Sequence, residues 1–264
     1  MTNVFTPRNV RTVRVIPVLL LKGKGLVKTV RFSKPRYLGD PINIVKIFND
    51  KEVDELVILD ITATREKRPP RFDFLEQIVS ECFMPVCYGG GLHSLEDVKR
   101  AFDMGIEKVA INTYAAENPK FITDIADIYG SQSVVISLDA KKRLLGKYEL
   151  RTHGGRKGIG MEPAEFAREV EKAGAGEILL NSIDRDGTMQ GYDLELVQSV
   201  ASAVHIPVIA CGGAGNIEDL HQAVTNGGAS AVAAGSMFVY QGKHMAVLIS
   251  YPSYEELERL FVGA

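Results

Sequence analysis

The sequence has few of the residues that define metal-binding and disulfide-rich proteins. It contains only three cysteines, Cys82, Cys87 and Cys211, and five histidines. Three cysteines cannot form a disulfide framework, and their spacing relative to the histidines matches no zinc-ligand pattern. We therefore expect no metal, no other cofactor and a reduced, cytoplasmic setting.

Charge of one sign and long apolar runs are also scarce. The formal net charge is −2 with both signs scattered, so the chain lacks the basic stripe that neutralises nucleic-acid phosphates. The apolar run Val15–Leu21 contains Pro17 and is far shorter than the roughly 20 residues that cross a bilayer. Met1–Asn9 does not resemble a signal peptide. We expect a protein that binds neither nucleic acid nor a membrane.

Short apolar runs alternate with amphipathic segments along the chain, which is the pattern of buried parallel strands separated by helices. A chain of 264 residues suits one α/β domain, a (β/α)₈ TIM barrel spanning 1–264. The predicted strands are Val13–Leu21, Leu56–Asp60, Val86–Gly89, Lys108–Asn112, Val134–Asp139, Glu177–Asn181, Val208–Cys211 and Ala231–Ala234.

The second half of the sequence repeats the first. Pro85–Gly91 recurs as Pro207–Gly213, and Glu55–Leu59 recurs as Glu177–Asn181, each 122 residues later. Two segments that repeat at one offset indicate a duplicated half. Two halves of four strands close naturally into a barrel with a twofold half-barrel repeat, whereas an open doubly wound sheet has no reason for this symmetry.

Glycine-rich segments follow the third and seventh predicted strands and favour anion binding. Glycine lets backbone N–H groups approach an anion, and the following helix N-terminus adds favourable donors. The first cradle comprises Gly90, Gly91, Asn112 and Thr113; the second comprises Gly212, Gly213, Gly235 and Ser236, with Asp186 and Gly187 closing it. Tight turns alone are the alternative. Because active sites of such barrels lie at the strand C-termini, duplication there favours a small-molecule ligand with a phosphate at each end.

Several motifs resemble the cyclase subunit of imidazole glycerol phosphate synthase. They are Val53–Ala63, Tyr88–Gly91, Lys108–Thr113 and Gly176–Thr188, and the resemblance extends from about Arg14 to Phe238. It implies a glutaminase subunit at the N-terminal face of the barrel, with ammonia travelling through the barrel to a bis-phosphorylated ribulosyl substrate. It also implies two catalytic carboxylates, at the ends of the first and fifth strands.

Only one of those two carboxylates is present. Asp139 ends the fifth predicted strand, where a carboxylate facing the barrel mouth can transfer protons. In the first strand the family shows Leu-Asp-Val-Lys, whereas this chain reads Leu-Leu-Leu-Lys over Leu19–Lys22. Leu20 therefore stands at the acidic position, and we expect the ring-closing lyase chemistry to be severely impaired.

The first predicted loop departs from the family as well. The segment Val27–Pro41 is basic and aromatic, and with Leu19–Leu21 it resembles a paralogous branch associated with acetamidino modification of surface-polysaccharide sugars. Members of that branch are thought to pair with a glutaminase and to supply ammonia to a separate sugar amidotransferase. Lys28, Lys34 and Arg36 either help to hold an anionic ligand or belong to a solvated loop.

Four charged residues match the ring that gates ammonia in the family. This base ring consists of Arg14, Glu55, Lys108 and Glu177, each at or just before the start of a predicted strand. Inward side chains there would lie at the N-terminal end of the barrel, opposite the cradles. The alternative is an ion-pair cluster that only stabilises the barrel floor.

Three functions remain open from the sequence. The first is an ammonia-transferring synthase subunit specialised away from histidine synthesis. The second is an ordinary cyclase of histidine biosynthesis in which another residue, such as Asp60, replaces the missing carboxylate. The third is a non-catalytic scaffold that activates or anchors the glutaminase.

Overall fold

The computed structural model describes residues 13–144 and 146–262; the predicted absence of a signal peptide concerns Met1–Asn9, outside these residues. The strands are β1 (Arg14–Lys22), β2 (Gly25–Val30), β3 (Ser33–Gly39), β4 (Leu56–Asp60), β5 (Val86–Gly89), β6 (Lys108–Ile111), β7 (Val134–Lys142), β8 (Tyr148–Thr152), β9 (Lys157–Gly158), β10 (Glu177–Ser182), β11 (Val208–Cys211), β12 (Ala231–Ala234), β13 (Tyr240–Gln241) and β14 (Ala246–Val247). The helices are α1 (Pro41–Asp50), α2 (Phe72–Val79), α3 (Leu95–Asp103), α4 (Thr113–Glu117), α5 (Lys120–Tyr129), α6 (Pro163–Lys172), α7 (Leu194–Ala201), α8 (Ile217–Thr225), α9 (Ser236–Val239) and α10 (Tyr254–Phe261), with a 3₁₀ turn at Ser131–Ser133.

Eight parallel strands close into a barrel. Their order is β1, β4, β5, β6, β7, β10, β11 and β12, and β12 pairs back with β1. These are the eight strands that the sequence predicts, with ends that differ by at most three residues. The (β/α)₈ prediction is confirmed.

Corresponding elements of the two half-barrels begin at the predicted offset of 122 residues. Helices α1, α2 and α3 begin 122 residues before α6, α7 and α8 respectively, and β5 begins 122 residues before β11. Local signals explain the matching starts. Proline occupies the first turn of both α1 and α6, where its missing N–H has no helical partner. Side-chain caps from Ser94 and Asn216 begin α3 and α8.

Apolar side chains form two layers, because successive residues of a strand face opposite sides of the sheet. Outward residues pack against the helices in a large core. Inward residues form a separate inner cluster along the barrel axis, which consists of Ile16, Val18, Val57, Cys87, Ala110, Val135, Leu179, Ile209, Cys211, Ala231 and Ala233, with Leu20 and Leu59 packed against it. Burial on both faces explains why these strands read as continuous apolar runs.

The first predicted loop is instead a β-hairpin, β2 with β3. Its two turn residues, Arg31 and Phe32, both have positive φ, as a two-residue hairpin turn requires. Lys28 is 6% exposed, so the solvated-loop interpretation is wrong for this lysine, whereas Lys34 and Arg36 are exposed as that interpretation expects. The reason is strand alternation, which turns Lys28 toward the barrel.

Two further features bear on the function classes. No helix within the described residues is both long and apolar enough to cross a bilayer. Within the same residues, no group of three or more His, Cys, Asp or Glu side chains is arranged to hold a metal ion.

Candidate functional site

A cavity of about 580 Å³ opens at the C-terminal ends of the barrel strands. It is the mouth of the barrel. All twelve residues predicted to bind ligand or transfer protons at this end line it: Lys28, Gly90, Gly91, Asn112, Thr113, Asp139, Asp186, Gly187, Gly212, Gly213, Gly235 and Ser236. The two cradles therefore lie in one cavity.

Matching glycines of the two cradles are packed against backbone in the same way. Gly91 has φ +79°, and a Cβ atom there would lie 2.7 Å from the carbonyl oxygen of Arg68. Gly213 has φ +120°, and its Cβ would lie 2.2 Å from the carbonyl oxygen of Gly191. Each glycine thus lets its turn lie directly against the loop that follows the neighbouring strand. This packing requires glycine whether or not an anion binds.

Asp139 is buried at the mouth and has the properties of a proton-transfer group. Burial, reinforced by the negative charge of Asp186, raises the pKa of Asp139 to about 7. The Nδ2 atom of Asn112 lies 3.3 Å from a carboxylate oxygen of Asp139 and also donates to the carbonyl of Ser137. A carboxyl group that titrates near neutrality suits general acid–base chemistry.

Lys28 reaches the second cradle from the hairpin. Its ammonium donates to the carbonyl oxygen of Val18. A Cβ atom at Gly235 would lie only 2.0 Å from Nζ, so the lysine occupies the space that glycine leaves free. Burial lowers the pKa of Lys28 to about 8, against the opposing effect of Asp186. This position supports the predicted contact with an anionic ligand.

Asp186 mainly anchors the hairpin. One carboxylate oxygen, Oδ2, accepts hydrogen bonds from the Thr29 hydroxyl at 2.8 Å and from the Phe32 amide at 3.0 Å. The backbone carbonyl of Asp186 accepts from the amide of Arg31. Burial raises the pKa of Asp186, while these hydrogen bonds and Lys28 oppose the shift. The sequence assigned this residue to the cradle but did not predict that it fastens β2–β3 over the mouth.

The wall of the mouth on the β1 and β4 side is apolar. Leu20 and Leu59 are register partners on these adjacent strands, and both line the cavity. Asp60 also lines it but is held by the protein. One of its oxygens accepts from Thr62 and Ala63, and the other pairs with Arg68 at 2.7 Å. This pairing argues against Asp60 as a free replacement for the missing carboxylate.

The base ring forms at the opposite end of the barrel. Arg14 contacts Glu55 at 2.5 Å and Glu177 at 2.7 Å, and Lys108 contacts the same two carboxylates at 2.9 and 3.0 Å. Burial disfavours the charged forms of Arg14 and Lys108, but the two glutamates outweigh it and raise both pKa values. The four side chains alternate in charge around a closed ring, and one buried oxygen of Glu55, Oε1, has no partner among the described residues.

The inner cluster fills the axis between the base ring and the mouth. On β6 and β12 it consists of small side chains, Ala110, Ala231 and Ala233, whereas Val57 and Leu179 are larger. Apart from the hydroxyl of Ser137, which lies between Val135 and Asp139 on the inward face of β7, the wall between the two ends of the barrel is apolar. Apolar side chains neither protonate nor hydrogen-bond a small neutral molecule.

The mouth contains further polar side chains that the sequence did not single out. His93, His153, Arg65, Lys67, Arg156 and Asn181 all line it. His153 lies in the turn between β8 and β9, and its backbone amide donates to the Thr113 hydroxyl at 3.0 Å. The arginines and lysines add positive charge to a cavity already proposed to hold anions. Except for Asn181, which lies on β10, these residues lie outside the barrel strands, where no periodic pattern of the sequence predicts them.

Comparison with known proteins identifies the family of the chain. A family profile described as "Histidine biosynthesis protein" matches residues 14–245, which is most of the chain. The chain belongs to this family. The histidine biosynthesis family match spans every strand of the barrel, the base ring and both cradles.

Individual members of the family extend this result. The chain is 53% identical over 245 residues to the "Putative imidazole glycerol phosphate synthase subunit hisF2" of Pseudomonas aeruginosa, covering 93% of this chain and 98% of that protein. It is 48% identical over 247 residues to the similarly named hisF3 of Vibrio vulnificus, covering 93% and 95%. It is 44% identical over 229 residues to the "Imidazole glycerol phosphate synthase subunit HisF" of Alkaliphilus metalliredigens, covering 87% and 91%. The chain is thus a homologue of the HisF cyclase subunit, which belongs to a glutamine amidotransferase system.

Proposed function

We propose that this HisF homologue accepts ammonia from a glutaminase at its N-terminal face and conducts it through the barrel, in support of acetamidino modification of a surface-polysaccharide sugar. The observation that carries the proposal is the apolar wall formed by Leu20 and Leu59 opposite Asp139 in an otherwise complete mouth. The names of two relatives, hisF2 and hisF3, support a role beside the ordinary enzyme.

The absence of one carboxylate favours conducting ammonia over closing a ring. Ring closure in the family uses one group to donate a proton and another to accept one, and leucine does neither. Of the three aspartates that line the mouth, Asp139 alone remains available, because Asp60 is paired with Arg68 and Asp186 accepts the hydrogen bonds of the hairpin. Delivery of ammonia, by contrast, needs no second carboxylate, because Asp139 alone can hold or release a proton where ammonia leaves the barrel.

The proposed route for ammonia begins at the base ring and continues through the inner cluster. The base ring stands at the face where the glutaminase would bind, and its four charges form a closed ring of ion pairs. Above it the apolar inner cluster would keep ammonia neutral during passage. A separate sugar amidotransferase would then use the ammonia that leaves the mouth.

An ordinary cyclase of histidine biosynthesis is the second candidate. It is favoured by Asp139, whose pKa lies near neutrality, and by the two cradles that share one cavity. A scaffold that only activates the glutaminase is the third outcome to be tested. It predicts that product formation in the complete system does not depend on Asp139.

Reconstitution with the partner glutaminase tests the proposal. Barrel plus glutaminase should hydrolyse glutamine, yet form no imidazole glycerol phosphate from the bis-phosphorylated ribulosyl substrate, with either glutamine or ammonium salts. Robust turnover with ammonium salts would refute the specialisation in favour of the ordinary cyclase. Unchanged product formation by Asp139→Asn in the complete sugar-modifying system would favour the scaffold.

A gain-of-function variant sharpens this test. Leu20→Asp restores a carboxylate at the first-strand position and should raise cyclase turnover with ammonium salts well above the wild-type level. Leu59→Asp is the matched control, because Leu59 is the register partner of Leu20 on the same wall. If Leu59→Asp gains as much as Leu20→Asp, any carboxylate on this wall suffices and the argument from position 20 fails.

A further inference from the structure

Asn181 is a polar side chain at the mouth whose amide oxygen has no hydrogen-bond partner within the described part of the chain. It lies on β10 two residues beyond Leu179, a member of the inner cluster, so the same strand face carries it to the cavity. Its amide oxygen, Oδ1, is buried and accepts no hydrogen bond from any residue that the structure describes. An unpaired buried acceptor costs free energy, so such a group requires an explanation.

The surroundings of the amide place it beside the second cradle. A Cβ atom at Gly212 would lie 2.5 Å from Oδ1, so the amide rests against the Cα of this cradle glycine. On the other side, Asn181 is the register partner of Asp139. The unpaired oxygen therefore lies between the candidate phosphate site and the candidate proton-transfer group.

We propose that Asn181 is a specificity-determining residue that accepts a hydrogen bond from a hydroxyl group of a phosphorylated polyol, close to the phosphate in the second cradle. An amide oxygen needs a donor, which the phosphate dianion itself lacks. A hydroxyl on a carbon near the phosphate ester is a donor that fits between Gly212 and Asp139. The proposal rests on the anion site of the proposed function and deepens it by naming the chemistry next to that anion.

The selectivity of a site built to bind a hydroxyl is expected to be large. An analogue that lacks the hydroxyl leaves the buried acceptor unpaired, and sites of this kind reject such analogues strongly. A leucine at position 181 has a similar shape but no acceptor. It should remove the selectivity without removing the phosphate site.

Binding of two probes that differ only in hydroxyl groups tests this. Dissociation constants for sn-glycerol 3-phosphate and n-propyl phosphate are measured by titration calorimetry, with inorganic phosphate as the common reference. The wild-type chain should prefer glycerol 3-phosphate by roughly tenfold. Asn181→Leu should bind the two esters equally while its affinity for inorganic phosphate stays within about twofold. Ser182→Ala, on the outward face of the same strand, should keep the wild-type preference.

Thermal unfolding without ligand separates recognition from a structural role. If Asn181 serves the ligand, Asn181→Leu should melt no lower than wild type, because an unpaired acceptor has been removed. Equal wild-type binding of both esters, a preference that survives in Asn181→Leu, or no saturable binding of any probe would each overturn the proposal. Selective binding in a chain that nevertheless shows ordinary cyclase turnover would uphold it while refuting the proposed function.

Discussion

The ammonium of Lys28 lies directly over the Cα of Gly235, in space that any larger residue would occupy. The two residues come from opposite ends of the chain, one on β2 and the other just after β12. The lysine thereby adds a positive charge to the second cradle, and the absence of a side chain at position 235 lets it do so.

Gly235→Ala should weaken anion binding at the second cradle. The new methyl group would push the flexible lysine away from the carbonyl of Val18 without clashing with backbone. We expect phosphate affinity to fall by roughly tenfold, the size of one charge-assisted hydrogen bond, with little change in the free energy of unfolding. Calorimetric titration with phosphate measures the first and urea unfolding the second.

A double-mutant cycle with Lys28→Ala provides the control. If the alanine acts by displacing the lysine, Gly235→Ala should cost almost nothing in the Lys28→Ala background. Additive losses in phosphate affinity would show that the two residues act independently.

Glu55→Gln should destabilise the barrel. The side chain of Glu55 is 3% exposed and contacts both Arg14 and Lys108, so its neutralisation leaves two cations facing a single carboxylate. Arg14 is 30% exposed, and water offsets part of the loss. We expect urea unfolding to show a decrease of about 2–4 kcal/mol in the free energy of unfolding.

Glu81→Gln is the matched control for the base ring. It breaks the Lys46–Glu81 pair, whose side chains are 54% and 39% exposed, and should change stability by less than about 0.5 kcal/mol. Similar losses in Glu55→Gln and Glu81→Gln would show that burial of the base ring contributes nothing to stability.

Asp139 should make the stability of the protein depend on pH. Its pKa in the folded chain is raised from 3.8 to about 7 by burial and by Asp186, so the folded state holds this proton more tightly than the unfolded state does. The stabilisation from the bound proton is fully present below about pH 4 and is lost as the pH rises through about 7. Asp139→Asn cannot ionise and should escape this loss.

Urea unfolding of wild type and Asp139→Asn at a series of pH values measures the effect. The difference in the free energy of unfolding should shift in favour of the variant between pH 4 and about 7 and then level off. A difference that is constant over this range would contradict the raised pKa.

Thr29→Val should loosen the β2–β3 hairpin. The substitution keeps the shape of the side chain but removes its hydrogen bond to Asp186. The turn is then held by the amides of Arg31 and Phe32 on Asp186 and by the Arg31 guanidinium on the carbonyl of Asp184. We expect about 1 kcal/mol less protection of the hairpin amides in hydrogen exchange. Ser33→Ala is the control, because the Ser33 hydroxyl donates to the carbonyl of Val30 within the exposed turn and not to Asp186. Equal loss of protection in both variants would show that Asp186 is not the anchor.

The sequence alone was sufficient to predict the barrel and its twofold repeat. Strands such as Val208–Cys211 are buried on both faces and therefore read as short apolar runs, and the duplication repeats their positions at a constant offset. The cradles followed for the same reason, since residues at the C-terminal ends of parallel strands must meet at one rim. These features depend on local pattern and strand order.

Only the tertiary structure decided what individual polar side chains do at the mouth. Lys28 belongs to a basic segment, and its burial depends on Asp186 and Gly235, which lie far away in the chain. The pattern along the chain does not reveal the role of Asn181 either. Whether its amide oxygen has a hydrogen-bond partner among the described residues depends on all the side chains that surround it in the fold. Hydrogen bonds, charge pairing and desolvation act over a few ångströms in space, so their outcome is set by the folded neighbours rather than by the pattern along the chain.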